Sequence, residues 1–173
     1  MSALKTLAGE LPAYAKDLKL NLSSLLTEQG LTDVQKFGTI LACAHGTASK
    51  PLIAAAEADC ADKIDEKTAE AARGAAAVMA MNNVYYRFTH LAGNEDYAKM
   101  PAKLRMNMIG THGIAKADFE LFSLAVSAIN GCGLCIDSHE KVLGQHGVKA
   151  ETIQTAVRIA AVMNGVATVH ATL

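Results

Sequence analysis

The chain has 173 residues, enough for one compact domain with a sizeable core, and its 51% hydrophobic and 19% charged residues exclude a disordered polymer. A formal net charge of -1 gives no electrostatic reason to expect nucleic acid or an anionic membrane surface as a partner. Alanine is abundant, β-branched runs are scarce and aromatics make up only 5%, so the predicted fold class is all-α, a single helical domain over residues 1–173.

In chain order, Pro12 is placed to open a first helix to about Glu28, with Gly30 as its stop. Thr32 and Gln35 have capping-box spacing, and the helix behind them carries Phe37, Ile40, Leu41 and Ala44 on one face. Lys50-Pro51 opens a short Ala-rich helix, and Asp65 starts a longer one that ends near Gly93. Pro101 is expected to open about eight helical residues before Gly110. Lys116 to Asn130 reads as helix, Gly131 breaks it, and a new helix runs from there to Gly147. One or two further helices follow from about Ala150. At an offset of 83, "VQKFGTILACA" from Val34 lies over "ADFELFSLAVS" from Ala117, which fits two degenerate helical halves. Chance agreement between Ala-rich helices accounts for the echo equally well.

No targeting segment is visible: the N-terminal stretch is charged every few residues, and the apolar tail from Ile159 is too short and polar to span a bilayer. The expected location is therefore cytoplasmic, without a membrane, and there a cysteine pair serves catalysis or metal binding more often than stapling.

That pair lies in "AINGCGLCIDSHEKVL". On a helix after Gly131, Cys132, Cys135 and His139 fall at i, i+3 and i+7 and share one face. Cys132 is expected at or just inside the helix N-terminus, where free N–H groups and the positive dipole end favour a thiolate. A thiolate attacks peroxides and disulfides, and a second thiol one turn away resolves the product. His139 is placed to act as base or proton shuttle. Folding the preceding helix back as a hairpin brings Glu120 level with roughly residue 142, within a turn of His139, as a carboxylate that would orient the imidazole. Glu120, Ser123 and Ser127 form a polar stripe at i, i+3 and i+7.

Blander readings stand beside these. The CxxC suits a metal half-site, although zinc needs four ligands and no second CxxC exists. Covalent haem needs a histidine where Ile136 stands, and the absence of period-two alternation disfavours a thioredoxin-like setting. Glu120 equally suits a solvated stripe. Cys43 and Cys60 read as small buried residues, and His45, His90, His112, His146 and His170 as structural.

"LPAYAKDLKLNLSS", "MAMNNVYYRF", "KADFELFSLAVSAINGC" and "NGCGLCIDSHEKVLGQHGV" together resemble the alkylhydroperoxidase D family, in the carboxymuconolactone decarboxylase-like superfamily, in order and over essentially the whole chain. The resemblance implies an all-helical fold, a homotrimer and a cytoplasmic antioxidant oxidoreductase with peroxide as acceptor. It also implies regeneration of a partner peroxiredoxin, alkylhydroperoxidase C, and no tightly bound cofactor. Electrons would come from dihydrolipoyl groups on a 2-oxo acid dehydrogenase subunit, and ultimately from NADH through lipoamide dehydrogenase. By position, Cys135 matches the cysteine that becomes sulfenic acid and Cys132 the resolving cysteine that closes a disulfide with it. His139 and Glu120 match the proton relay. One departure is Leu134, where a well-known member has a second histidine, so the relay here is expected to be simpler. The reading from another class is a helical oligomer whose CxxC senses redox state or holds a metal without turnover.

Overall fold

Caps written locally into the sequence fix several helix ends in the computed structural model, which describes residues 2–173. Every regular element among these residues is helical. They are α1 (Ala3–Gly9), a 3-10 turn (Ala13–Ala15), α2 (Lys16–Thr27), α3 (Asp33–Gly46), α4 (Lys50–Cys60), α5 (Glu66–Leu91), α6 (Asp96–Lys99), α7 (Met108–Thr111), α8 (Lys116–Ile129), α9 (Gly133–Gln145) and α10 (Ala150–His170). Thr32 and Gln35 close a reciprocal capping box at α3, and the Asp65 side chain accepts the Thr68 N–H at α5.

The offset of 83 seen in the sequence is an offset of structure. It carries Asp33–Gly46 onto Lys116–Ile129 and the start of α4 onto the start of α9, and it brings α5 to within one residue of α10. Even the unusual backbone between the paired helices repeats: Ala48 and Gly131 occupy equivalent places with φ of 56° and 65°. The two halves pack through α3 against α8, with α5 and α10 against both. The core of this contact is Ile40, Leu41, Phe119, Phe122, Leu124 and Ile159, all essentially inaccessible to solvent. Gly38 lets α3 and α8 approach closely, because a Cβ there would overlap the Phe122 ring.

A half-buried ion cluster ties the first half together. Arg73 on α5 donates from Nε and Nη2 to the two carboxylate oxygens of Glu57 on α4, at 2.8 and 2.7 Å, and His45 on α3 reaches the same carboxylate at 2.8 Å. The Arg73 fork is the main reason the Glu57 carboxyl is lowered to about 2.

Three points of the sequence reading need correction. Pro12 precedes a 3-10 turn, and the α-helix begins only at Lys16. α1 was not foreseen: Ser2 caps it by accepting the Lys5 N–H, and the distant Asp59 carboxylate secures its start by accepting from Ser2 Oγ and from the Ala3 and Leu4 N–H groups. Pro101 opens no helix: Lys103 takes a left-handed φ of 52° and the chain turns helical only at Met108, passing through Gly110. The C-terminal region, read as one or two helices from about Ala150, is one helix that starts there.

Candidate functional site

α8 ends in a turn that delivers the cysteine motif. The Gly131 N–H donates to the Ala128 carbonyl and the Cys132 N–H to the Ser127 carbonyl, with Gly131 in the left-handed region. This is a Schellman closure, and glycine supplies the positive φ without a Cβ penalty. Cys132 thereby becomes the N-cap of α9, and Cys135 lies in that helix's first turn. The sequence reading set Cys132 at or just inside the helix. The structure puts it at the cap, so Cys135 is the sulfur within the turn of unpaired N–H groups and at the positive dipole end.

The sulfurs are joined as a disulfide of 2.09 Å, with the Cα atoms 5.3 Å apart. Their exposures differ in a way that matters for chemistry. Cys132 is fully buried, whereas Cys135 keeps 6% of its surface and lines a cleft of about 420 Å³. Cys43 and Cys60 are free and buried elsewhere. Burial pushes the Cys43 thiol far up and the Cys60 thiol to about 12, so neither forms a thiolate near neutrality.

His139 and Glu120 meet directly. Nδ1 of the imidazole lies 2.6 Å from Glu120 Oε2, and Lys116, one turn earlier on α8, places Nζ 2.6 Å from Oε1. Glu120 is only 3% exposed, and Ser123 and Ser127 are fully buried, so the stripe is internal and not a solvated face. Burial alone would raise the Glu120 carboxyl, but hydrogen bonds from His139 and Lys116 outweigh it and hold the group below its ordinary value. The charged carboxylate accepts the Nδ1–H, which leaves the Nε2 lone pair as the basic end. Nε2 sits 3.3 Å from the Met79 thioether, and both residues line the cleft.

Lys116 was missed in the sequence, although its i, i+4 spacing to Glu120 is an ordinary helical signal. Behind the motif, Asn83 donates to Ser127 Oγ and accepts from Asn130 Nδ2, each at 2.9 Å, while Arg87 donates to the Asn130 carbonyl at 2.6 Å. This network ties α5 to the turn that presents the cysteines. The rest of the cleft wall is mostly apolar, with Met79, Tyr86, Met106, Ile109, Leu134 and Val142, and its remaining polar residues are Asn82 and Ser138. His45 and His112 find structural partners, the Glu57 carboxylate and the stacked face of Phe119. Among the described residues no three His, Cys, Asp or Glu side chains converge to hold a metal, and no helix is long and apolar enough to cross a membrane.

Residues 95–173 match the carboxymuconolactone decarboxylase family. The chain is 65% identical over 170 residues to the alkyl hydroperoxide reductase AhpD of Rhizorhabdus wittichii, covering 98% of each chain. It is 57% identical over 164 residues to the protein of that name from Rhodopseudomonas palustris, covering 95% of this chain and 91% of the relative. A third relative so named, from Maricaulis maris, is 55% identical over 169 residues, with 98% of each chain covered.

Proposed function

The chain belongs to the alkyl hydroperoxide reductase AhpD family, and we propose that it reduces alkyl hydroperoxides at the Cys132–Cys135 pair with dihydrolipoyl groups as reductant. The observation that carries this reading is the chain Lys116–Glu120–His139, centred on a buried carboxylate, beside a cysteine pair of which Cys135 faces the cleft.

The reduced pair would work as follows. His139 Nε2 takes the proton of Cys135, with the imidazolium stabilised through Nδ1–H by Glu120 and, behind it, Lys116. The thiolate attacks the terminal peroxide oxygen: an S–O bond forms, the O–O bond breaks, and the alkoxide leaves as alcohol with the proton held by His139. The buried Cys132 thiol then attacks the sulfenic sulfur, water departs and the disulfide closes. A dihydrolipoyl dithiol restores the pair by two thiol–disulfide exchanges and is itself oxidised to the cyclic disulfide. The reduced Cys132–Cys135 pair would also reduce the disulfide of an oxidised peroxiredoxin partner, alkylhydroperoxidase C, returning to its own disulfide for the next dihydrolipoyl group. Leu134, where a relative has histidine, is 40% exposed at the cleft and carries no proton, so a single imidazole serves the relay.

The apolar cleft wall suits both an alkyl chain and the hydrocarbon arm of a lipoyl group. For assembly we propose the homotrimer. Its support is a band of exposed apolar side chains, Val84, Phe88 and Leu91 on α5 with Tyr97 and Met100 beyond it.

The direct test is peroxide-dependent NADH oxidation, reconstituted with lipoamide dehydrogenase and a lipoyl domain, with and without the peroxiredoxin. NADH consumption that requires this chain supports the reading. Zinc retained by the cysteines with no turnover in either arm contradicts it.

A further inference from the structure

We infer that the Asn82 carboxamide binds the –OOH group of the substrate, an inference that rests on the peroxidase reading above. Asn82 stands on α5, three residues after Met79, and lines the same cleft as Cys135 and His139. It is only 4% exposed, and its Oδ1 has no hydrogen-bond partner. Buried polar atoms in native proteins are nearly always paired, and an unpaired acceptor costs stability that a bound donor would recover.

The adjacent asparagine shows the contrast. Asn83 uses both ends of its amide, towards Ser127 and Asn130, and is thereby committed to holding the turn. Ser138 at the cleft is exposed to solvent, and the buried carboxylate beside it is engaged. Both Glu120 oxygens are taken, by Lys116 and His139, and the His139 Nε2 is reserved for the thiol proton. Asn82 is the buried cleft residue with an acceptor to spare.

Its chemistry matches the ligand. A hydroperoxide offers one donor, the terminal O–H, and two acceptor oxygens; a carboxamide offers one acceptor and two donors. With Oδ1 receiving the terminal O–H, the terminal oxygen is held for attack by the Cys135 thiolate. The Nδ2 hydrogens can face the inner oxygen, which takes the electron pair as the O–O bond breaks. Sulfur is oxidised from thiolate to sulfenic acid and the peroxide is reduced to alcohol, the proton passing from the Cys135 thiol through His139 to the alkoxide. Thiol–disulfide exchange contains no such group, so the two half-reactions should respond differently to Asn82.

The test measures both half-reactions on the full chain by stopped flow: oxidation of the reduced pair by tert-butyl hydroperoxide, and reduction of the disulfide by dihydrolipoamide. Asn82→Leu, similar in size and without polar atoms, should lose about tenfold or more in the peroxide step, while exchange stays within about twofold. Asn82→Ser keeps a hydroxyl and should lose less; it carries the same comparison if the leucine variant does not fold. Both rates unchanged, or both falling together, would overturn the inference. A wild-type chain that exchanges with dihydrolipoamide yet ignores peroxide would overturn the peroxidase reading and this inference with it. An active wild type with an unaffected Asn82→Leu variant would overturn the inference alone.

Discussion

A carboxyl group buried as deeply as Glu120 would, from desolvation alone, keep its proton well above the ordinary range. The hydrogen bonds from His139 and Lys116 reverse that, so the folded value lies below the unfolded one. The charged form is thus favoured above the unfolded value of about 4.3, and its contribution is lost as pH falls through the lower folded value. Removing Lys116 deletes one of the two opposing hydrogen bonds and lets burial push the carboxyl up. Lys116→Met should therefore move the acid limb of the peroxide-oxidation rate to higher pH, and Lys116→Arg should restore it. An unmoved pH profile would make Lys116 a bystander. Replacing His139 with glutamine should slow the same step by about 10²–10⁴, and adding Glu120→Gln should cost little more, because residues acting as a unit are non-additive. At this scale helical spacing offered the cysteines and His139, while Glu120 needed the hairpin estimate and the family resemblance to be preferred over a solvated stripe. Asn82 was not readable, because what singles it out is the passage of α5 beside a cleft formed by α9, a long-range fact with no local signature.

Helices with local caps were readable as elements: Thr32 with Gln35, Asp65 with Thr68, and Gly131 between α8 and α9 all announce themselves within a few residues. α1 did not, since beyond its local Ser2 cap its first N–H groups rest on the distant Asp59, and the Pro101 segment did not, since Lys103 leaves the helical region in a way no propensity predicts. The hairpin estimate put Glu120 level with residue 142; the tight Schellman turn brings it onto His139 itself. The packing of α3 on α8 positions Glu120 as surely as its own helix does. Gly38→Ala gains helix propensity but drives a methyl into the Phe122 ring, which is fully buried and has nowhere to move. We expect a net loss of about 1–3 kcal/mol, read from urea unfolding of the oxidised chain. A variant as stable as wild type would mean that the α3–α8 contact yields without cost.

Across the whole molecule, two structurally equivalent halves have diverged in chemistry. Where the second half carries Glu120, Cys132, Cys135 and His139, the first has Phe37, Ser49, Leu52 and Ala56, so the cysteine pair and its relay belong to the second half alone, while α5 of the first lends Met79, Asn82 and Tyr86 to the cleft wall. The thin echo at 83 residues was a true sign of this, hidden because core positions tolerate many apolar substitutions while backbone geometry persists. The exposed band around Phe88 is the other whole-molecule feature. Phe88→Glu should lower the mass found by sedimentation equilibrium towards that of one chain, and an unchanged mass would place the interface elsewhere. The central claim is that Cys135, facing the cleft and served by His139, is the sulfur that meets peroxide, with buried Cys132 resolving it. Dimedone trapping with mass spectrometry on the two single-serine variants tests it most directly. A peroxide-dependent adduct is expected on Cys135 in Cys132→Ser and none on Cys132 in Cys135→Ser; an adduct on Cys132 in Cys135→Ser, with none on Cys135 in Cys132→Ser, would reverse the two roles.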